Sequence, residues 1–197
     1  MEKLNQMTDD MLVGLYSSGN AKAFDVLLDR YKDKLYAYIS FVVRDTQLAE
    51  DIFQETFLKA IVTLQKGSYS SNGKFGAWIT RIAHNLIMDS FRQDRSENTV
   101  SRESDERDCL NDSRFSDPTV EDCMINDQTL ADVRALVDML PDNQREVVFM
   151  RYYQDMSFNE IAIATGVSIN TALGRMRYAI LNMRRMVTQK NVSLNLL

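Results

Sequence analysis

The run from Ser157 to Arg175 constrains this chain more than any other stretch. Ser157, with Glu160 three residues later, has the spacing of a capping box, in which each side chain bonds the other's backbone N–H. Gly166 then suits the left-handed conformation that ends a helix, and Ser168 can cap the next one. That next helix is basic. From Ile161 to Leu197 there is no Asp or Glu, while Arg175, Arg177, Arg184, Arg185 and Lys190 are all present. Helix, tight turn and arginine-bearing helix form a helix-turn-helix signature, whose second helix can enter a DNA major groove.

The net charge of −5 argues against nucleic acid only as an average. Residues 1–93 carry 11 basic and 11 acidic side chains, 94–127 carry 4 and 11, and 128–197 carry 8 and 6. The negative excess is confined to the middle segment, and binding depends on the local field rather than on the isoelectric point. That segment is rich in Ser, Asp, Glu and Arg, shows no sustained apolar periodicity and is interrupted by Pro118. It reads as a flexible acidic linker.

On both sides of it the periodicity is helical. Thr8 caps a helix to about Tyr16, and Asn20 caps another from Ala21 to about Val43, with Phe24, Leu27, Leu28, Tyr31, Leu35, Tyr38 and Ile39 at helical spacing. Asp45 or Thr46 opens a third to about Leu64. After a loop from Gly67 to Gly73, a fourth runs from Lys74 to about Gln93. Beyond the linker, Leu130, Val133, Leu136 and Val137 share a face, Pro141 precedes a helix from Asp142 to Tyr153, and the last helix ends near Met186. No strand-like alternation of useful length occurs. The expected fold class is all-α: two small helical bundles, 8–93 and 128–190, joined by the linker at 94–127, the second containing the helix-turn-helix.

Three helix faces carry candidate chemistry. On the last helix, Ala172, Met176, Ala179 and Met183 share a core-facing side. Asn170, Gly174, Arg177, Tyr178 and Leu181 lie broadly opposite, with Thr171 and Arg175 flanking them. Asn can pair with adenine edges, Arg with guanine or phosphate, and Gly174 permits close approach. A solvated helix that is merely basic is the plain alternative, but cap, turn and missing acids agree on a DNA reader. On the fourth helix, Arg81, His84, Asn85, Asp89 and Arg92 fall near one polar face able to hold single-stranded nucleic acid, whereas Trp78 reads as a core anchor. Viewed alone, that face is more simply solvated surface. On the third, Asp45, Glu50, Asp51, Gln54 and Glu55 make an acidic side for a basic partner, with Ile52, Phe53 and Phe57 as anchors; by itself this pattern is weak.

Other classes find little support. Cys109 and Cys123, with His84 the single histidine, do not make a zinc site. No glycine-rich nucleotide loop is present, so an enzyme, a cofactor or a metal is not expected. No apolar run reaches a membrane span and the N-terminus lacks a basic-then-apolar leader. The expected location is the cytoplasm, with both cysteines as free thiols.

The order of the pieces carries a resemblance. Ala49-Glu50-Asp51-Ile52-Phe53-Gln54-Glu55-Thr56-Phe57, then Phe75-x-x-Trp78-Ile79-x-Arg81-Ile82-Ala83-x-Asn85, then an acidic linker, then Leu140-Pro141-x-x-x-Arg145 and the helix-turn-helix, resemble the extracytoplasmic-function (ECF) group of bacterial sigma-70-family factors. The resemblance covers both helical parts. It implies a promoter-specificity subunit that joins core RNA polymerase, with Asp45, Glu50, Asp51, Gln54 and Glu55 docking on the clamp of the largest subunit and a further contact to the β-subunit flap. It implies −10 promoter DNA, recognised and melted, at Arg81, His84, Asn85, Asp89 and Arg92. It implies −35 duplex DNA at Ser168, Asn170, Thr171, Gly174, Arg175, Arg177 and Tyr178. An anti-sigma factor is implied as a further partner, and no membrane insertion. The chain departs from the common pattern at Leu173, where many members carry Lys, and at Gly174, where Ser is frequent. The alternative is a stand-alone helix-turn-helix regulator whose N-terminal bundle senses a signal or dimerises.

Overall fold

The computed structural model describes residues 2–70, 74–97 and 133–190. Cys109, Cys123, Pro118, Leu130 and nearly all of the acidic segment lie outside them. Among the described residues the regular structure is entirely helical: α1 (Glu2–Asn5), α2 (Asp9–Ser17), α3 (Ala21–Val43), α4 (Thr46–Gln65), α5 (Phe75–Glu97), α6 (133–138), α7 (Asp142–Tyr152), α8 (Phe158–Thr165) and α9 (Ile169–Lys190).

Local chemistry sets most of these boundaries. The Thr8 side chain accepts from the Met11 N–H at the start of α2, and Asp45 accepts from Leu48 N–H at the start of α4. These bonds satisfy donors that a helix end leaves without partners. Asn20 occupies the expected cap position of α3 but makes no side-chain capping bond. Gly166 ends α8 with φ 67°, in the left-handed region where a side chain is costly. Two helices outrun their sequence limits. α5 continues to Glu97, four residues into the segment read as linker, and α9 continues to Lys190.

The first bundle packs α3 against α2, α4 and α5, around Leu12, Leu27, Leu35, Ile39, Leu64, Phe75, Ile79 and Ile87. The second packs α7, α8 and α9 around Val147, Met150, Ile161, Ala172, Met176 and Ala179. Trp78 is half-buried, 4.7 Å from the Tyr69 ring and 5.4 Å from Phe75.

The two bundles are not separate bodies. α5 packs along α8 and α3 touches α7, so the buried side chains form one continuous cluster. Phe41 of α3 stacks on Phe149 of α7 at 4.5 Å, and the Arg145 guanidinium lies 5.5 Å from the Phe41 ring. Polar pairs cross the same seam: Lys34–Asp155 at 3.0 Å, Lys74–Glu160 at 3.3 Å and Thr80–Gln154 at 3.1 Å. α7 explains the closure. Arg145 to Met150 are six consecutive buried residues, and a helix covered on every side must have neighbours on every side. Val147 and Met150 join its own bundle, while Phe149 stacks across the seam.

Candidate nucleic-acid interface

The recognition helix is built as its sequence suggests at the capped end. Ser157 and Glu160 complete a capping box on α8; burial opposes the Glu160 charge, but the Ser157 hydrogen bonds and the Lys74 ammonium outweigh it and hold the carboxyl below its usual range. Ser168 Oγ accepts from the Thr171 N–H at 3.1 Å and sits 2.8 Å from the Thr171 hydroxyl. That pairing fixes the first turn of α9. Ala172, Met176 and Ala179 are buried, and Met183 is partly so. Ser168, Asn170, Thr171, Arg177 and Tyr178 are exposed. A Cβ built on Gly174 would meet nothing within 4 Å, so the backbone there can be approached closely. Arg175 stands apart from this set: it is half-buried and lines a cavity between the bundles, facing His84 and Glu146.

On α5, Arg81, Asn85, Asp89 and Arg92 are exposed. Asp89 pairs with Arg92 at 2.8 Å, and Asn85 and Asp89 border a groove floored by Ile82 and walled by Leu58 and Val62 of α4. His84, expected on the same face, is not there. It is 7 % exposed and points into the seam, where its ring meets Tyr38 of α3 and Glu146 of α7. Its Nδ1 lies 2.8 Å from Glu146 Oε1, and the Tyr38 hydroxyl donates to the same oxygen at 2.7 Å. A carboxylate only accepts, so Nδ1 carries the proton.

The three groups determine one another's state. Burial opposes the Glu146 charge, but the His84 hydrogen bond and charge, the Tyr38 hydroxyl and the Arg175 field outweigh it, holding the carboxyl below its usual range. Burial, with the adjacent carboxylate, pushes the Tyr38 phenol well above its usual range, so it remains a donor. Sequence reading did not find this cluster. Tyr38, His84 and Glu146 lie on three helices, and the one signal in the sequence is the unbroken apolar run Val147–Met150 directly after Glu146.

On α4, Glu50, Asp51, Gln54 and Glu55 are exposed, and Asp45 caps the helix. Glu55 pairs with Lys59 at 3.1 Å. Glu50 and Gln54 edge a shallow groove against Lys32, Asp33 and Tyr36 of α3, where Tyr36 meets Phe53 edge-on at 5.5 Å. The acidic face therefore stands clear of the seam on an aromatic footing.

Residues 27–97 match the family model described as Sigma-70 region 2, and residues 130–175 the one described as Sigma-70, region 4. The ECF RNA polymerase sigma factor BldN of Streptomyces coelicolor is 33% identical over 156 residues, which cover 79% of this chain and 56% of BldN. The ECF RNA polymerase sigma factor SigW of Bacillus subtilis is 29% identical over 160 residues, covering 80% and 84%. Among solved structures, the sigma factor RpoE in complex with the anti-sigma factor NepR, from Bartonella quintana, has a TM-score of 0.67 at 21% identity, covering 85% of this chain and 98% of that one. That likeness supports the fold. Two family models in the expected order, on the helices that carry the three candidate faces, place the chain in a family: it belongs to the sigma-70 family, as an RNA polymerase sigma factor of the extracytoplasmic-function group.

Proposed function

We propose a division of labour among the three faces within promoter-specific initiation. The α4 face, through Glu50, Asp51, Gln54 and Glu55, docks on the clamp of the largest polymerase subunit, and Asp45 shapes its start. The α5 face, through Arg81, Asn85, Asp89 and Arg92, holds −10 DNA, where capturing an extruded base recovers part of the unstacking cost of a few kcal/mol. The outward side of α9 reads the −35 duplex, with a contact between this bundle and the β-subunit flap. The observation that carries the reading is joint exposure: Arg81 and Asn85 on α5, and Asn170 and Arg177 on α9, all stand in solvent beside a separate acidic helix face. The protein then acts through polymerase in the cytoplasm and supplies specificity rather than catalysis. An anti-sigma factor is the further partner we propose.

Closure of the seam gives His84 and Arg175 a different role from their neighbours. In the closed arrangement both belong to the contact between the bundles, and they reach DNA only when it opens.

Reconstitution with core RNA polymerase on a promoter set tests the proposal. Promoter-specific transcripts that depend on this protein are expected, with loss of core binding when Gln54 and Glu55 are replaced together. Unaided binding to duplex sites, with no association with core enzyme, would favour the stand-alone regulator.

A further inference from the structure

We infer that Leu173 reads a thymine of the −35 element through the 5-methyl group of the base; the inference rests on α9 being the duplex-reading helix. Leu173 is 44% exposed, and Ile169, one turn earlier, is 46% exposed. An apolar pair in that position needs a reason, because the core-facing side of α9 is already supplied by Ala172, Met176 and Ala179.

Its neighbours give one. Leu173 follows Asn170 by three residues and precedes Arg177 by four, so the three lie along one strip of the helix. Asn170 and Arg177 are exposed, and the adjoining Gly174 leaves the backbone open to a surface pressed against it. The chain after Ile161 carries no carboxylate side chain, so the strip is complementary to a polyanion. In the major groove the thymine methyl is the apolar feature that base pairs offer. A leucine between an amide and a guanidinium matches an apolar spot flanked by hydrogen-bonding base edges. Leucine can neither donate nor accept, so it discriminates in two ways. It gains contact where the methyl is present, and it strands the cytosine amino group where cytosine stands instead.

The test uses the full-length protein with core RNA polymerase. Promoters are first selected from a library randomised over the −35 element, and each thymine there is then replaced by deoxyuridine, which removes only the methyl. At one position the replacement should reduce open-complex formation by the wild-type holoenzyme about fourfold, the effect of one buried methyl group. Leu173→Ala should bind the thymine promoter less well and lose nothing further on deoxyuridine. Arg177→Ala, weaker throughout, should keep the fourfold difference, which separates methyl readout from general weakening. Circular dichroism should show Leu173→Ala as helical as the wild type. Deoxyuridine that is neutral at every position, a selected element without thymine, or a methyl effect that persists in Leu173→Ala would overturn the inference. So would loss of core-polymerase binding in Leu173→Ala with DNA readout unchanged, because the strip would then face a protein. If no promoter in the library is transcribed, the sigma-factor reading of the site fails, and this inference fails with it.

Discussion

Replacing Glu146 by Ala should open the seam between the bundles rather than unfold either of them. The Glu146 side chain is 11% exposed and accepts from Tyr38 at 2.7 Å and His84 at 2.8 Å. Truncation removes the acceptor from two buried groups, but the Tyr38 hydroxyl also lies 3.2 Å from His84 Nδ1, so a tautomer shift lets the phenol donate there and leaves one donor unsatisfied, at about 1–3 kcal/mol. The closed form therefore loses about 1–3 kcal/mol if it stays dry. Opening lets both groups reach water, so the penalty falls on closure alone. At 1.4 kcal/mol per factor of ten, the closed-to-open ratio shifts about fivefold at the low end and about a hundredfold at the high end. Glu146→Gln keeps the shape and one acceptor oxygen, and should cost about 1 kcal/mol, the scale of a single neutral hydrogen bond. Small-angle scattering and hydrogen exchange read the difference: Glu146→Ala should raise the radius of gyration and speed exchange in α8 and along the matching side of α5, with Glu146→Gln intermediate. The reasoning is refuted if Glu146→Ala keeps the wild-type radius while one cooperative melt falls by several kcal/mol, since the cluster would then be the staple of a single core.

Acid should act in the same direction. The carboxyls of Glu146 and Glu160 both lie below their usual range, so each contributes stability that is full above the unfolded value, near 4.5, and is lost as pH falls through the folded one; scattering at pH 7 and pH 4 should show expansion at the lower pH, less in Glu146→Gln. Gly76→Ala should destabilise the first bundle by about 1–3 kcal/mol, because the added Cβ would lie 2.7 Å from Tyr31 Cε1 on a ring held by its hydroxyl to Asp9. An unchanged denaturant midpoint would mean that the ring yields. Arg177→Ala should flatten the salt dependence of promoter binding by about 0.9 in log–log slope if it makes one phosphate contact. Arg175→Ala should change that slope less as long as the seam stays closed, and equal slopes would mean that the seam is open on the promoter.

Much of the helical order was legible because its signals are local. Thr8, Asp45, Ser157 and Ser168 accept from backbone N–H groups within three residues, and the wheel of α9 separated Ala172 and Met176 from Arg177 and Tyr178 before any packing was known. The seam was not legible, because it depends on residues far apart in the chain: Tyr38 and Glu146 are 108 positions apart. His84 shows the limit clearly. Its spacing relative to Arg81 and Asn85 gave an angle on the helix, and an angle does not say whether another helix lies there. The end of α5 was missed for a different reason. Charged residues at 94–97 lack an apolar stripe, yet a helix already formed propagates through them at little cost.

The cluster of Tyr38, His84 and Glu146 also bears on how such a chain can change over generations. Each of the three polar groups is tolerable inside the seam because the other two are present, so no single replacement by an apolar residue is neutral. Loss of the carboxylate leaves a phenol and an imidazole with only each other as partners, and loss of either of those weakens the support for a buried charge. Descendants should therefore keep all three residues or exchange them together, and the seam should pass between polar and apolar versions through few viable intermediates. Coupling among three helices is by itself enough to slow drift at these positions.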